Sequence, residues 1–250
     1  MAAFHIENLT LGYDGHPAVH HLNGVIEAGS LTAVFGPNGS GKSTLLKGLA
    51  GLLKPISGSI SLKNCAVRNI AYLPQASDID RTFPATVHDL VVTGLYQRRA
   101  LFAAHTHNDV RAAAAALSAV GLEGFASRAM DTLSGGQFQR ALFARVILQD
   151  AKVILLDEPF AAVDAKTTAD LLKIVSHWQA EGRTVIAVLH DEEIVRRHFP
   201  QTLLLAREPL GWGLTEAVLN AANVVRARHI HEAWDEAAPD CEIDVHDHAH

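Results

Sequence analysis

The chain has 250 residues, 48% of them hydrophobic and 19% charged, enough apolar side chain for a real core in one large domain or a domain with a lobe. With 21 Lys and Arg against 27 Asp and Glu it carries a formal charge of −6, which gives no broad basic footprint and argues against a nucleic-acid partner. No run approaches the roughly 18–20 uncharged apolar residues of a bilayer span, the start Met1-Ala2-Ala3-Phe4-His5-Ile6-Glu7 has no signal-peptide pattern, and Cys65 and Cys241 make neither a disulfide framework nor a Cys-x-x-Cys, so a cytoplasmic chain is expected.

Residues 4–30 and 56–74 alternate apolar and polar positions with Gly punctuation, which predicts short strands of a small antiparallel sheet. Tyr13 reads there as a half-buried aromatic, and His16, His20 and His21 as exposed loop residues. The apolar run Leu31–Phe35 predicts a strand and Thr44–Leu53 a helix. Between them Gly36-Pro37-Asn38-Gly39-Ser40-Gly41-Lys42-Ser43-Thr44 fits G-x-x-x-x-G-K-[ST], the loop whose backbone N–H groups wrap phosphate oxygens at a helix N-terminus. The motif places Lys42 on the β- and γ-phosphates of ATP and the Ser43 hydroxyl on Mg²⁺. Tyr72-Leu73-Pro74-Gln75 reads as a strand exit; Gln75 gains interest as a γ-phosphate and Mg²⁺ contact only from its place after the phosphate loop.

Residues 77–149 are rich in Ala and helix formers, with a clear helix over Asp109–Val120, and predict an inserted helical lobe. Near its end Leu133 gives way to Ser134-Gly135-Gly136-Gln137, and a helix starts with Phe138-Gln139-Arg140-Ala141-Leu142-Phe143-Ala144-Arg145. Backbone N–H groups, the Ser134 hydroxyl and a helix N-terminus together make a second anion site. A chain with one phosphate loop and one such site uses both fully only in a head-to-tail pair, and a two-fold pair is the simplest closed solution. Residues 150–206 then predict parallel strands with a helix around Thr167–Ala180. Val153-Ile154-Leu155-Leu156 is continuously apolar, as suits a central strand buried on both faces. It ends in Asp157-Glu158, at the strand tip where open α/β sheets bind ligands. Asp157 is placed to order Mg²⁺, and Glu158 to polarise the attacking water as general base. Thr184–Leu189 repeats the design with His190 at the tip, assigned to the γ-phosphate and that water. No internal repeat is visible.

Over about residues 4–226 these elements resemble, in order, the nucleotide-binding subunit of an ATP-binding cassette (ABC) transporter. The resemblance implies an α/β fold: a P-loop NTPase core with a parallel sheet, a small antiparallel β-subdomain at the nucleotide base and an inserted helical subdomain at about 77–149, all within an ATPase domain 1–228. It implies that Tyr13 stacks on adenine, that Ser134 and Gly136, within 133–137, contact the γ-phosphate of a partner copy's ATP, and that Asp164 communicates across the dimer. The segment before it, Ala161-Ala162-Val163, departs from the commoner Ser and Leu, which touches only the tuning of that contact. The implied partners are a second copy, two transmembrane permease subunits and, through them, a solute-binding protein, with the chain on the cytoplasmic face of the membrane.

Two segments bear on cargo. Phe83-Pro84-Ala85-Thr86-Val87 is a helix-entry signal in its own right, and it resembles the region of zinc, manganese and ferric-chelate importers that docks the membrane subunit. The tail 229–250 carries His229, His231, His246, His248 and His250 among Asp235, Glu236, Asp240, Glu242, Asp244 and Asp247, with Cys241 between. It reads as a flexible acidic segment or as a weak divalent-metal binder, and both stay open. The expectation is an ABC importer ATPase for a divalent metal, zinc first and manganese second. Its alternatives are ferric siderophore or vitamin B12 import and, behind those, a soluble ABC ATPase, which would carry a coiled coil or a second fused unit.

Overall fold

The computed structural model describes residues 2–63, 66–98 and 106–234. Cys65 and the tail histidines His246, His248 and His250 lie outside the described residues.

Strands β1 (Ala2–Tyr13) and β2 (His16–Glu27) form an antiparallel hairpin, and β4 (Ser57–Leu62) adds to the other edge of β1. The hairpin turns on Asp14-Gly15, both at positive φ, and this two-residue geometry matches strand twist and puts Tyr13 opposite His16 at the tip. The larger sheet has the order β5-β6-β7-β3-β8-β9, with β3 (Leu31–Phe35), β5 (Ile70–Leu73), β6 (Val153–Asp157), β7 (Thr184–Leu189), β8 (Gln201–Ala206) and β9 (Glu208–Leu214). Its first five strands are parallel; β9 returns antiparallel along β8.

Both faces of this sheet are covered, which explains its unbroken apolar strands. Leu155, Ile186, Val188 and Leu203 point into a core shared with β1, β2 and helix α1 (Lys42–Leu49). Ile154, Leu156, Val185 and Leu204 point the other way, into a core shared with α2 (Val87–Val92), α3 (His107–Ala119), α4 (Gly135–Gln149) and α5 (Ala165–Ala180). Each such side chain contributes about 1.5–3 kcal/mol when fully buried. Helix α6 (Glu192–His198), the single turn α7 (Thr215–Val218) and α8 (Ala221–Trp234) complete the fold.

Several predicted boundaries move for local reasons. Strand β5 joins the parallel sheet beside β6, not the antiparallel one; with Ile70, Ala71 and Leu73 all buried, it is another two-faced strand, too short to show a period. Helix α1 stops at Leu49 because Gly51, at φ +73, turns the chain out and its N–H caps Gly48 O. His20 is buried in β2, its backbone N–H donating to Arg207 O at 2.8 Å, so the β8–β9 turn covers it; His16 and His21 are exposed but also lie in β2. The boundary drawn at 228 falls inside α8, which runs through His229 and His231 and packs Ile230 against the core. Among the described residues, no helix is long and apolar enough to cross a membrane.

Candidate functional site

Parallel strands bring their C-terminal tips to one edge. From β3 that edge receives the loop 36–41, from β5 Gln75, from β6 Asp157 and Glu158, and from β7 His190. Sequence separations of 114 and 32 residues become hydrogen bonds.

The loop is shaped by close backbone approach. A Cβ at Gly36 would lie 1.9 Å from Leu205 O, and one at Gly41 2.3 Å from Ala18 O, so only glycine fits at either place. Pro37, Asn38 and Gly39 form the outer wall of the loop, and Thr44 is buried at the start of α1. Lys42 folds back over the loop, its Nζ donating to Gly36 O at 3.0 Å and Pro37 O at 2.6 Å. Burial pushes its pKa down to about 8, against the opposing pull of Glu158 and Asp157. The Ser40 side chain is buried and its hydroxyl has no protein partner, an orphan that a phosphate oxygen would satisfy.

Beyond the loop lies a chain of oxygens and donors. Ser43 Oγ donates to Asp157 Oδ1 at 2.9 Å, and Gln75 Nε2 donates both to Ser43 Oγ at 3.3 Å and to Glu158 Oε1 at 2.9 Å. His190 Nε2, as N–H donor, meets the same Glu158 oxygen at 2.6 Å. Asp157 is fully buried, and burial raises its pKa, while hydrogen bonds from Ser43 and Tyr72 work to lower it. Hydroxyl, carboxylate and amide oxygens are hard donors, the set that suits Mg²⁺, with substrate phosphate oxygens completing its shell. Glu158 and His190 also wall a cavity of about 570 Å³ that Phe160, Leu172 and Ile194 close on its apolar side.

Other expected site residues stand apart from this cluster. Tyr13 is 48% exposed at the hairpin tip. Leu133 is buried in the core, Ser134 and Gly135 are exposed with Gly136 and Gln137 half-buried, and the Ser134 and Gln137 side chains serve their own helix. Ser134 Oγ accepts from Gln137 N at 3.2 Å, and Gln137 Oε1 accepts from Ser134 N at 3.0 Å, a reciprocal cap of α4. Gly135 and Gly136 lie in the first turn, where an added Cβ would come within 3.5 Å of Ala162 O and 3.4 Å of the Asp164 carboxylate. Asp164 caps α5, accepting from Thr167 N at 2.9 Å, and this backbone bond lowers its pKa. Two residues at the site escaped the sequence reading. Tyr72 reaches Asp157, and Arg145 reaches the Tyr72 carbonyl; a side chain that bonds across strands leaves no local signal.

Residues 19–161 match the ABC transporter family. The chain belongs to that family. As an ABC ATPase, it is 37% identical over 215 residues to the manganese transport system ATP-binding protein MntB of Listeria monocytogenes, an alignment covering 84% of this chain and 90% of the relative. Its fold matches, at TM-score 0.81 and 33% identity, an inward-facing ABC transporter assigned to the metal-chelate type, over 92% of this chain and 90% of that one. A second structural relative is a dimeric ATP-binding cassette in a post-hydrolysis state bound to ADP and Pi. It superimposes with TM-score 0.75 and 25% identity over 85% of this chain and 98% of that one.

Proposed function

We propose that this ABC ATPase is the ATP-hydrolysing subunit of an importer for a divalent metal ion, with manganese now ahead of zinc as cargo. The observation that carries the ATPase half is the convergence of Gln75 and His190 on one oxygen of Glu158, beside the Ser43–Asp157 pair. The phosphate loop, with Gly36 to Thr44, binds the triphosphate; Lys42 leaves its two carbonyls for the β- and γ-phosphates. Ser43, Gln75 and Asp157 hold Mg²⁺, which supplies charge neutralisation at the phosphates. Glu158 accepts a proton from the attacking water, and His190 orients that water and the γ-phosphate. Tyr13 stacks on adenine; its exposed place at the hairpin tip suits that role.

The exposed Ser134–Gln137 turn serves the ATP of a second copy, so the working unit is a homodimer that closes on two nucleotides. The dimeric relative bound to ADP and Pi supports this reading. The dimer sits on the cytoplasmic face of the membrane and drives two permease subunits fed by a solute-binding protein. The similarity to MntB carries the preference for manganese. His229 is exposed on α8, and the tail beyond it adds weak divalent-metal binding.

The test is uptake by the complex reconstituted with its permease, offered Mn²⁺, Zn²⁺ and a ferric chelate in competition. Manganese is expected to enter first, and Glu158→Gln to stop uptake while ATP still binds, with hydrolysis down by a factor on the order of 10²–10⁴. Preferred uptake of the chelate would remove the divalent-metal reading. Undiminished hydrolysis by the variant would remove Glu158 as base.

A further inference from the structure

Among the described residues, strand β5 is an edge of the larger sheet, and one row of its backbone groups faces helix α4 and not another strand. Helix α4 supplies part of what is missing. Arg145 Nη2 donates to Tyr72 O at 2.6 Å, and Gln149 Nε2 donates to Ile70 O at 3.1 Å. The donors are one helical turn apart and the acceptors two strand residues apart, so a single helix face is matched to a single strand edge. Arg145 is partly buried, which lowers its pKa, and Gln149 is 5% exposed. Side chains of that size are not spent on an edge strand for solubility alone.

What the grip holds is the Tyr72 side chain. Tyr72 pairs in register with Leu155, two residues before Asp157, and its ring packs into the core under the antiparallel sheet. From there the hydroxyl donates to Asp157 Oδ2 at 3.2 Å, while Ser43 occupies Oδ1 at 2.9 Å. The buried carboxylate is therefore fixed at both oxygens, one from the phosphate loop and one from β5.

We propose that Tyr72 is a positioning residue for Asp157, set in place by Arg145 and Gln149 of α4, so that the carboxylate that orders Mg²⁺ is oriented from the helical side of the molecule as well as from the phosphate loop. The proposal rests on the reading that Asp157 serves the metal of a bound Mg-ATP. It assigns to α4, which begins at Ser134, a second contact with the nucleotide site, three turns along the same helix.

Tyr72→Phe keeps the ring and its packing and removes only the hydroxyl. Full-length protein carrying Glu158→Gln, so that ATP persists, is titrated with Mn²⁺ as a paramagnetic probe, with and without ATP. In the Tyr72→Phe background ATP-dependent Mn²⁺ binding weakens roughly 10-fold, the scale of losses behind a metal ligand. ATP affinity in chelator changes less than about twofold, since the Tyr72 hydroxyl bonds the Asp157 carboxylate and not the phosphate loop. In the hydrolysing protein the Mg²⁺ requirement rises by the same factor, and kcat recovers at saturating Mg²⁺. Arg145→Lys, which keeps the phenol but slackens its strand, shifts Mn²⁺ binding in the same direction by less, and it serves if the Phe variant does not fold. Unchanged Mn²⁺ affinity in both variants overturns the proposal, and so does an equal loss of metal-free ATP binding, which marks a merely structural role. Absence of ATP-dependent Mn²⁺ binding in the parent protein would instead remove the Mg-ATP reading, and the proposal with it.

Discussion

Glu158 occupies a left-handed backbone conformation, φ +48, at the tip of a buried strand. Such a residue costs about 1–2 kcal/mol relative to ordinary backbone, and it persists only where its surroundings dictate it. Here Gln75 and His190 both donate to its carboxylate, which ties the kinked backbone to the two residues proposed to face the γ-phosphate. Lys42 is also held at a cost. Burial lowers its pKa to about 8 from 10.5, so Lys42 sheds a proton as pH rises through about 8. The sign follows: because the folded value lies below the unfolded one, this group adds stability above pH 10.5 and loses it as pH falls through 8. ATP phosphates favour the charged ammonium. ATP binding above pH 8 is therefore expected to take up a proton, and affinity to fall by up to about tenfold per pH unit. Calorimetry in two buffers of different ionisation enthalpy measures the uptake. A binding heat independent of buffer above that pH would mean that Lys42 is already charged in the free loop.

At the scale of elements, local pattern showed what periodicity and motif can show. Val153–Leu156 and Thr184–Leu189 read as doubly buried strands because nothing polar interrupts them, and both are. The phosphate loop read as a turn between strand and helix because only glycine serves at Gly36 and Gly41. Four-residue β5 carries no period, and the covering of His20 depends on a turn nearly 190 residues further along the chain. Tyr72 and Arg145 went unread for the same reason: their partners are fixed by sheet order, which local sequence does not encode. The helix caps test the proposed function against a bare structural role. Ser134 and Thr106 cap α4 and α3 with the same reciprocal geometry, Gln137 and Asp109 supplying the return bond. Ser134→Ala and Thr106→Ala should each cost about 1 kcal/mol in denaturant unfolding. ATPase activity should fall by about tenfold or more for Ser134→Ala alone, because its hydroxyl is assigned to a partner's phosphate as well. Equal activity in the two variants would leave Ser134 as a cap and nothing else.

At the scale of the whole molecule the chain carries a phosphate loop and the Ser134–Gln137 turn proposed to bind an anion, and the side-chain bonds of that turn serve its own helix. The Ser134 and Gln137 side chains bond within the cap of α4, while the Lys42 and Ser43 side chains bond the loop's own carbonyls and Asp157. A closed two-fold pair would place each turn over the other copy's loop, and that arrangement has a signature which a monomeric site lacks. Ser134→Arg blocks the turn and Lys42→Ala disables the loop, so either variant alone has no complete site. Mixed in equal amounts and allowed to exchange, they form heterodimers in which Lys42 of one chain faces Ser134 of the other. Half of the dimers are then mixed and each has one of its two sites intact, so about a quarter of the wild-type sites return. ATPase activity of the mixture should rise toward that level from near zero in the separate proteins. A mixture as inactive as its components, after exchange has been verified by mass, would mean that the turn and the loop do not meet across a dimer. The loop would then have to work without a partner's turn, and the capping role of Ser134 would be its whole explanation.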